Sequence, residues 1–194
     1  MTHLQKIIAN ATFLAFSGAA VSANAAPETY SIDPTHTAPR FEYSHFGYSN
    51  QQHRFDTTSG KIVIDRAAKT GSVDVTIDAK SVNTGYATFN EHIQGEDFFD
   101  TAKNPTITFK SKKVVFKGDK PVKVEGDLSI KGVTKAVTLD VTSFHAMPHP
   151  IVKKDALGAN ATVKIKRSEF NMGKYAPYVS DDVTLSIAVE AVKD

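Results

Sequence analysis

The stretch Val183-Thr184-Leu185-Ser186-Ile187-Ala188-Val189-Glu190 alternates apolar residues with small or polar ones. Successive side chains of a β-strand point to opposite faces, so this alternation predicts a strand with one apolar and one polar face. The same pattern recurs along the chain, and its apolar positions are Phe41 and Tyr43, then Val73, Val75 and Ile77, Ile107 and Phe109, Leu128 and Ile130, Val137, Leu139 and Val141, and Val163 and Ile165. Such repetition is typical of antiparallel sheets with one buried face.

Turn residues separate these runs. Lys117-Gly118-Asp119-Lys120-Pro121 and Lys131-Gly132-Val133-Thr134-Lys135 each predict a connection between two strands of a hairpin. The whole pattern predicts about eight to ten strands. The segment 146–160, which contains Met147-Pro148-His149-Pro150 and Gly158, is expected to be a long loop.

One segment departs from the period of two. Phe89, His92, Ile93 and Glu96 have the spacing i, i+3, i+4, i+7, which predicts a short helix near residues 86–94. Two interpretations of this helix are equally supported by the pattern. It is either a plug or lid at one end of a barrel, or an ordinary crossover helix above a filled core.

Many alternating strands and one short helix leave two architectures open, a two-sheet sandwich and a closed barrel. A barrel of about eight strands has an interior that side chains can fill or that holds one small ligand. The pattern does not distinguish a filled interior from a hollow one, and composition alone favours a filled core.

Residues 1–25 have the features of a signal peptide. Lys6 supplies a positive charge, residues 7–21 are mainly apolar, and Ala23-Asn24-Ala25 places small residues before a cleavage site after Ala25. The apolar run is shorter than the roughly 20 residues that a spanning helix needs. We therefore expect a periplasmic protein whose residues 26–194, about 169 in number, form a single domain.

Charge and cysteine content exclude several classes of protein. The chain has 23 basic and 21 acidic residues, a balance that argues against a nucleic-acid-binding protein. The absence of cysteine excludes a thiol nucleophile and any cysteine metal site. The sequence contains no Gly-x-Ser-x-Gly, P-loop, Gly-x-Gly-x-x-Gly or His-Glu-x-x-His motif, so we predict that the protein is not an enzyme.

A metal-binding protein is an alternative, because His145, Met147 and His149 alternate and such ligands suit copper. Pro148 and Pro150 argue against a regular strand face there, and we predict no metal site. A partner-binding β domain without a ligand is the other alternative.

Short blocks in a fixed order resemble the YceI-like family. They are Tyr30-Ser31-Ile32-Asp33-Pro34-Thr35-His36-Thr37, His45-Phe46-Gly47, Glu91-His92-Ile93, Phe98-Phe99-Asp100, the stretch Gly126-Asp127-Leu128-Ser129-Ile130-Lys131-Gly132-Val133-Thr134-Lys135, and Arg167-Ser168-Glu169-Phe170. The similarity covers nearly all of residues 29–193. One departure is His53, which stands where the family pattern has Gly, just before Arg54-Phe55.

The resemblance implies a periplasmic, lipocalin-like, up-and-down barrel of about eight strands with the short helix near residues 86–94. It also implies a cavity that binds an isoprenoid lipid, a quinone such as ubiquinone or a polyprenyl lipid, for transport, storage or sensing. The residues predicted to face the cavity are Phe41, Tyr43, Val75, Ile77, Ile107, Phe109, Leu128, Ile130 and Leu139. The residues predicted to close one end are Phe89, Ile93, Phe98 and Phe170.

Polar residues in the shared blocks have two interpretations. Asp33, His36, His45 and Arg167 either hydrogen-bond one another and cap turns, or contact the lipid head group. The lysine-rich hairpin 110–123 is either a solvated face or a patch that contacts a membrane surface. Members of the family pair, so the resemblance leaves a homodimer open.

Overall fold

The computed structural model describes residues 26–194, so the predicted signal peptide lies outside the described residues. This part contains eleven strands: β1 (Glu28–Ile32), β2 (Arg40–His45), β3 (Ser49–Phe55), β4 (Thr58–Asp65), β5 (Thr70–Asp78), β6 (Val82–Asn83), β7 (Thr106–Lys117), β8 (Lys120–Ile130), β9 (Val133–Pro148), β10 (Asp155–Lys166) and β11 (Asp182–Lys193). One helix, α1 (Ala87–Ile93), and two 3-10 turns, Ala79–Ser81 and Arg167–Phe170, complete it. Within these residues no helix has the length and apolar character needed to span a membrane.

Eight of the strands close into a barrel. Their order is β1-β4-β5-β7-β8-β9-β10-β11, all neighbours are antiparallel, and β11 pairs back to β1 with Tyr30 opposite Lys193. Closure leaves no long unpaired edge among these strands. The predicted all-β, antiparallel, lipocalin-like barrel of about eight strands is confirmed.

The three remaining strands branch from the side of the barrel. The first part of β11, around Leu185, pairs with β2, whereas its last residues pair with β1. β2 then pairs with β3, and β3 pairs with the two-residue strand β6. The turn between β2 and β3 lies at the same barrel end as α1, because His45 bridges to Val179 of the loop 171–181 and the segment after α1 reaches the same loop, where the rings of Phe98 and Tyr175 lie 6.2 Å apart.

The structure confirms both predicted hairpin turns. Gly118 has a φ of +62° between β7 and β8, and Lys131 and Gly132 have φ of +49° and +73° between β8 and β9. Two successive residues with positive φ twist a two-residue turn to match the twist of the strands. Glycine adopts this conformation without steric strain.

The prediction of a long loop over residues 146–160 is wrong. β9 continues to Pro148 and β10 begins at Asp155, so only residues 149–154 form the connection. Pro148 is the last residue of its strand and lies opposite Asp155. At a strand end, the missing N–H group of proline removes no hydrogen bond from the interior of the sheet. Gly158 pairs with His145 and Glu190 inside the sheet, so it does not interrupt β10.

The predicted helix near residues 86–94 is confirmed as α1. Ile93 is buried and Phe89 is half-buried, and both pack against the main apolar cluster of the barrel, which includes Phe41, Phe99 and Leu128. A second cluster lies where β1 pairs with β4 and β11, around Tyr30, Ile62 and Leu157. The apolar residues of the core therefore extend along the whole barrel.

Candidate functional site

The interior of the barrel is hollow. A cavity of about 440 Å³ runs between the two apolar clusters, a volume typical of sites for small organic molecules. The strands supply its wall from alternate positions, as the inward faces of β9 and β11 show. These positions are Val137, Leu139 and Val141 on β9, and Val183, Leu185, Ile187 and Val189 on β11.

Twelve of the thirteen predicted site residues line this cavity. The strands contribute Phe41, Tyr43, Val75, Ile77, Ile107, Phe109, Leu128, Ile130 and Leu139, and the segment around α1 contributes Phe89, Ile93 and Phe98. The geometry thus brings together residues that are widely separated in sequence. Their contact with a ligand stays a prediction.

Phe170 lies elsewhere. It ends the 3-10 turn Arg167–Phe170, is only 1% exposed, and packs within the core without lining the cavity. The left-handed conformation of Asn171 (φ +57°) then reverses the chain direction. Its neighbour Met172 lines the cavity instead.

Sequence reasoning missed two parts of the wall. Ile32, Ile62 and Leu157 line the cavity at the end remote from α1. Ile62 lies in β4, where the apolar residues Ile62-Val63-Ile64 are consecutive, and Leu157 lies in the segment 146–160 that the sequence predicts to be a loop. Met172, Tyr175 and Val179 belong to the loop 171–181, which has no periodic pattern. No sequence signal could place these loop residues on the wall.

A polar pair lies at the apolar wall, to which polar residues such as His45 and Arg167 also contribute. The hydroxyl of Tyr43 hydrogen-bonds Nε2 of His53 at 3.1 Å. His53 is 6% exposed, and its Nδ1 has no hydrogen-bond partner among the described residues. Burial lowers the pKa of His53 from 6.5, so its ring is neutral at neutral pH.

Aromatic rings surround this histidine. The ring of His53 lies 5.4 Å from that of Phe41, 5.6 Å from that of Tyr43 and 5.5 Å from that of Phe89, measured between centroids. All three neighbours line the cavity. The residue that departs from the family pattern thus places a neutral polar group directly behind the cavity wall.

Arg167 uses its guanidinium group within the protein. Nε donates to the carbonyl of Ser180 (2.9 Å), Nη2 to that of Val179 (2.7 Å), and Nη1 to those of Met172 and Lys174. Burial lowers the pKa of Arg167, and the nearby Asp181 opposes this effect. Of the two interpretations of this residue, the structure supports the internal one, because four donors hold the loop 171–181.

Asp33 and His36, unlike Arg167, lie outside the cavity. Oδ2 of Asp33 contacts Nδ1 of His36 at 2.7 Å, which lowers the pKa of Asp33 to about 2 and raises that of His36. Together with Glu190 they are the one group of three histidine or acidic side chains, within residues 26–194, that is close enough to share an ion. Asp33 is half-buried and His36 and Glu190 are exposed, whereas His45 lines the cavity.

The other candidate metal ligands do not form such a group. His145 and Met147 are exposed on β9, whereas Nδ1 of His149 accepts hydrogen bonds from the backbone N–H groups of Ile151 and Val152 at 3.1 and 3.3 Å. His149 therefore serves the turn between β9 and β10.

Several lysines of the hairpin 110–123 have acidic partners. Nζ of Lys112 lies 2.7 Å from Asp127, and that of Lys123 lies 2.5 Å from Asp140. Lys110 also faces Asp74, at 3.9 Å. These ion pairs reduce the positive charge that the hairpin presents to a membrane surface.

The cavity opens at the end that carries α1. Phe46, His92 and Tyr175 line the cavity and are also exposed to solvent. All three belong to segments at this end, namely the β2–β3 turn, the last turn of α1 and the loop 171–181. Ile32, Ile62 and Leu157 at the opposite end are buried.

A closed antiparallel barrel around an open, apolar cavity is the architecture of small β-barrel binding proteins. Comparison with known families agrees, because the model of the YceI-like domain matches residues 30–191. The chain belongs to the YceI-like family, as the resemblance predicted.

Relatives and solved structures cover most of the chain. It is 34% identical to Protein YceI of Escherichia coli O157:H7 over 191 residues, 98% of this chain and 99% of the relative. It is 35% identical to a UPF0312 protein of Vibrio vulnificus strain YJ016 over 173 residues, 89% of this chain and 90% of the relative. The crystal structure of Burkholderia cenocepacia BcnA matches with a TM-score of 0.72 at 27% identity, over 83% of this chain and 99% of that one. A polyisoprenoid binding domain from Saccharophagus degradans shares the fold, with a TM-score of 0.64 at 21% identity, over 85% of this chain and 98% of that one.

Proposed function

We propose that the protein binds one long, apolar isoprenoid lipid, a quinone such as ubiquinone or a polyprenyl lipid, in the barrel cavity. The observation that carries this proposal is the cavity itself, which is about 440 Å³ in volume and lined almost entirely by aliphatic and aromatic side chains. A further support is the shared fold of the Saccharophagus degradans domain, which is described as polyisoprenoid binding.

The energetics of burial suit such a ligand. Removing apolar surface from water stabilises a complex by roughly 25 cal/mol per Å². A tail that buries a few hundred Å² gains on the order of 10 kcal/mol before the opposing entropy of association. Tight binding therefore requires only a dry cavity of matching shape, with no catalytic group.

The polar pair Tyr43 and His53 suits the weakly polar end of such a lipid. A quinone carbonyl or a hydroxyl accepts or donates one hydrogen bond, which the Tyr43 hydroxyl offers at the cavity wall. A fully charged group would lose its hydration among these aromatic rings, and the guanidinium of Arg167 on the same wall already donates to four backbone carbonyls. This arrangement favours a neutral end group beside Tyr43.

We further propose that the protein carries, stores or senses this lipid in the periplasm. The support is the predicted signal peptide over residues 1–25 together with an apolar ligand that water does not dissolve. Fractionation of a bacterial host that expresses the full chain tests the location. Recovery of uncleaved protein in the cytoplasm would contradict it.

The binding proposal is tested on protein purified after secretion. Organic extraction followed by mass spectrometry, together with native mass spectrometry of the intact protein, is expected to show one isoprenoid lipid per chain. Protein that contains no lipid and takes up neither added ubiquinone nor added undecaprenyl phosphate would overturn it.

Two alanines on neighbouring strands provide matched variants. Ala161 lines the cavity on β10, whereas Ala188 on β11 is exposed to solvent. Ala161→Trp is expected to fill the cavity and abolish lipid binding, whereas Ala188→Trp should leave it unchanged. Circular dichroism of both variants verifies that the barrel is folded.

A further inference from the structure

Four exposed aromatic residues form a rim at the open end of the barrel. Phe46 and Tyr48 belong to the β2–β3 turn and are 51% and 90% exposed, and Tyr175 and Tyr178 belong to the loop 171–181 and are 51% and 71% exposed. We refer to Phe46, Tyr48, Tyr175 and Tyr178 as the aromatic rim. Large apolar groups at such exposure mark interaction surfaces when they are contiguous.

The two segments that carry the aromatic rim contact each other. The backbone N–H of Phe46 donates to the carbonyl of Tyr178 at 2.8 Å, and their rings lie 6.3 Å apart. His45 and Val179 form an isolated antiparallel bridge beside them. The rim is therefore one surface, although its residues are about 130 positions apart in sequence.

The aromatic rim is continuous with the cavity. Phe46 and Tyr175 both line the cavity, and the ring of Tyr175 lies 6.2 Å from that of Phe98 on the cavity wall. A ligand that enters or leaves through this end passes between the rim residues.

The rim is also almost free of charge. Residues 43–53 contain no Asp, Glu, Lys or Arg, and residues 170–180 contain only Lys174, which pairs with Asp97. The turns at the opposite barrel end are strongly charged, since residues 65–70, 117–120 and 149–154 include Asp65, Arg66, Lys69, Lys117, Asp119, Lys120, Lys153 and Lys154. The uncharged surface is confined to these two segments, because the neighbouring segment 91–103, which includes the end of α1, carries Glu91, Glu96, Asp97, Asp100 and Lys103.

We propose that the aromatic rim docks the open end of the barrel onto the surface of a lipid bilayer. Tyrosine is enriched at membrane interfaces because its ring is apolar and its hydroxyl is polar. Docking there would let the bound lipid pass between the bilayer and the cavity without crossing water. The inference therefore rests on the proposed function, the binding of an isoprenoid lipid in the cavity. Because the rim is uncharged, docking depends on apolar contact rather than on anionic lipids.

The size of the rim argues against a second copy of the chain as its occupant. Four aromatic residues at these exposures offer roughly 400–600 Å² of surface. A stable interface between proteins needs about 800 Å² from each partner. Shallow insertion of a few rings into a bilayer requires no such area.

The test is co-flotation of the secreted, processed protein with vesicles of phosphatidylcholine alone and of phosphatidylcholine mixed with phosphatidylglycerol. The wild-type protein is expected to float equally with both, at low and at high salt. The double variant Tyr48→Ser and Tyr178→Ser should reduce partitioning by about tenfold or more. Neither residue lines the cavity, so the variant should still contain lipid when purified.

The matched control changes exposed apolar residues at the opposite end. Ile151 and Val152 are 80% and 53% exposed in the connection 149–154, and Ile151→Ser with Val152→Ser should leave partitioning unchanged. Loss of flotation in this control, or flotation only with phosphatidylglycerol at low salt, would overturn the inference. Either result would place the membrane contact at the opposite, charged end of the barrel. Unchanged flotation of the rim variant would also overturn it.

Two further measurements distinguish failure of membrane docking from failure of lipid binding. Lipid analysis of the same samples tests the proposed lipid binding: a protein that floats with vesicles but never contains lipid would refute lipid binding and still support docking. Light scattering reports the oligomer. Conversion of a dimer into a monomer by the rim variant would make the rim an interface between copies and overturn the inference.

Discussion

At the scale of single residues, Arg167 shows how a buried charge shapes the site. Its guanidinium donates to four backbone carbonyls of one loop, and this loop carries Met172 and Tyr175 on the cavity wall. A backbone segment without regular structure keeps few hydrogen bonds of its own, so a single side chain satisfies several of its acceptors. Arg167 therefore positions half of the aromatic rim, although it is itself only 7% exposed.

Replacing this guanidinium should destabilise the protein. Arg167→Lys leaves most of the four carbonyls without donors, and we expect the free energy of unfolding to fall by about 2–4 kcal/mol. Urea unfolding followed by far-UV circular dichroism measures this change. The control is Lys166→Gln, which breaks an exposed ion pair with Asp182 and should have little effect. Equal stability of Arg167→Lys and the wild type would contradict this role.

His53 should make stability depend on pH. Burial lowers its pKa in the folded protein from 6.5, so at lower pH the unfolded chain binds a proton that the folded chain does not. The contribution of His53 is complete above pH 6.5 and decreases as the pH falls towards the folded pKa. In His53→Leu, the free energy of unfolding should therefore decrease less between about pH 7 and pH 5.

His36 provides the opposite control. Asp33 raises the pKa of His36, so its stabilising contribution is present below pH 6.5 and is lost as the pH rises through the folded pKa. His36→Gln should steepen the decrease of stability towards acid pH, whereas His53→Leu flattens it. Urea titrations at a series of pH values compare the slopes. A slope of His53→Leu equal to that of the wild type would refute the prediction.

At the scale of elements, α1 has two apolar residues with different environments. Ile93 is buried in the core, so Ile93→Ala should lower the free energy of unfolding by about 2–4 kcal/mol. Phe89 is only half-buried and faces the cavity, so Phe89→Ala should reduce stability less but release bound lipid faster. Thr88→Ala, on the exposed side of the helix, is the control. Transfer of a fluorescent quinone to acceptor vesicles measures release; an unchanged rate would show that α1 does not cover the cavity.

Sequence patterns predicted the elements where local chemistry determines them. Alternation located β5 and β7 to β11 of the barrel but not β1 and β4, helical spacing located α1, and glycines located the two hairpin turns. The pattern failed over residues 146–160, because Pro148 and Gly158 are tolerated at strand positions where pairing does not require an N–H or a side chain. It also had no means to predict β6, since two residues contain no period.

At the scale of the whole molecule, the hollow interior could not be derived from periodicity. Alternation defines which side chains point inward, but whether they fill the space depends on their summed volume and on how the strands close. The wall includes the small residues Ala159 and Ala161, which occupy inward positions without filling the centre. Composition therefore favoured a filled core, and the structure has a cavity.

The two ends of the barrel differ in their surface chemistry, and docking is proposed for the open end. The aromatic rim lies at the opening, next to the charged segment 91–103, whereas charged turns and buried wall residues such as Ile62 and Leu157 lie at the other end. The apolar rings leave their part of the open end poorly hydrated, unlike the charged turns at the other end. This polarity orients the molecule with its opening towards an apolar surface.

A bound lipid should stabilise the whole barrel. A ligand that binds only the folded state adds about 2.7 kcal/mol to the free energy of unfolding at a free concentration one hundred times its Kd. For a chain of this size that corresponds to an increase in Tm of roughly 5–10 °C. Differential scanning calorimetry of protein stripped of lipid on an apolar resin, before and after reloading with ubiquinone, measures the increase.

The same experiment on the two alanine variants shows whether the cavity is responsible. Ala161→Trp places a large ring where the lipid would lie, so added ubiquinone should not raise its Tm, and the filled cavity should make its lipid-free Tm at least as high as that of the stripped wild type. Ala188→Trp changes the outer face of the barrel and should respond like the wild type. Equal responses of both variants would mean that ubiquinone binds outside the barrel, because only the inward substitution removes the interior space.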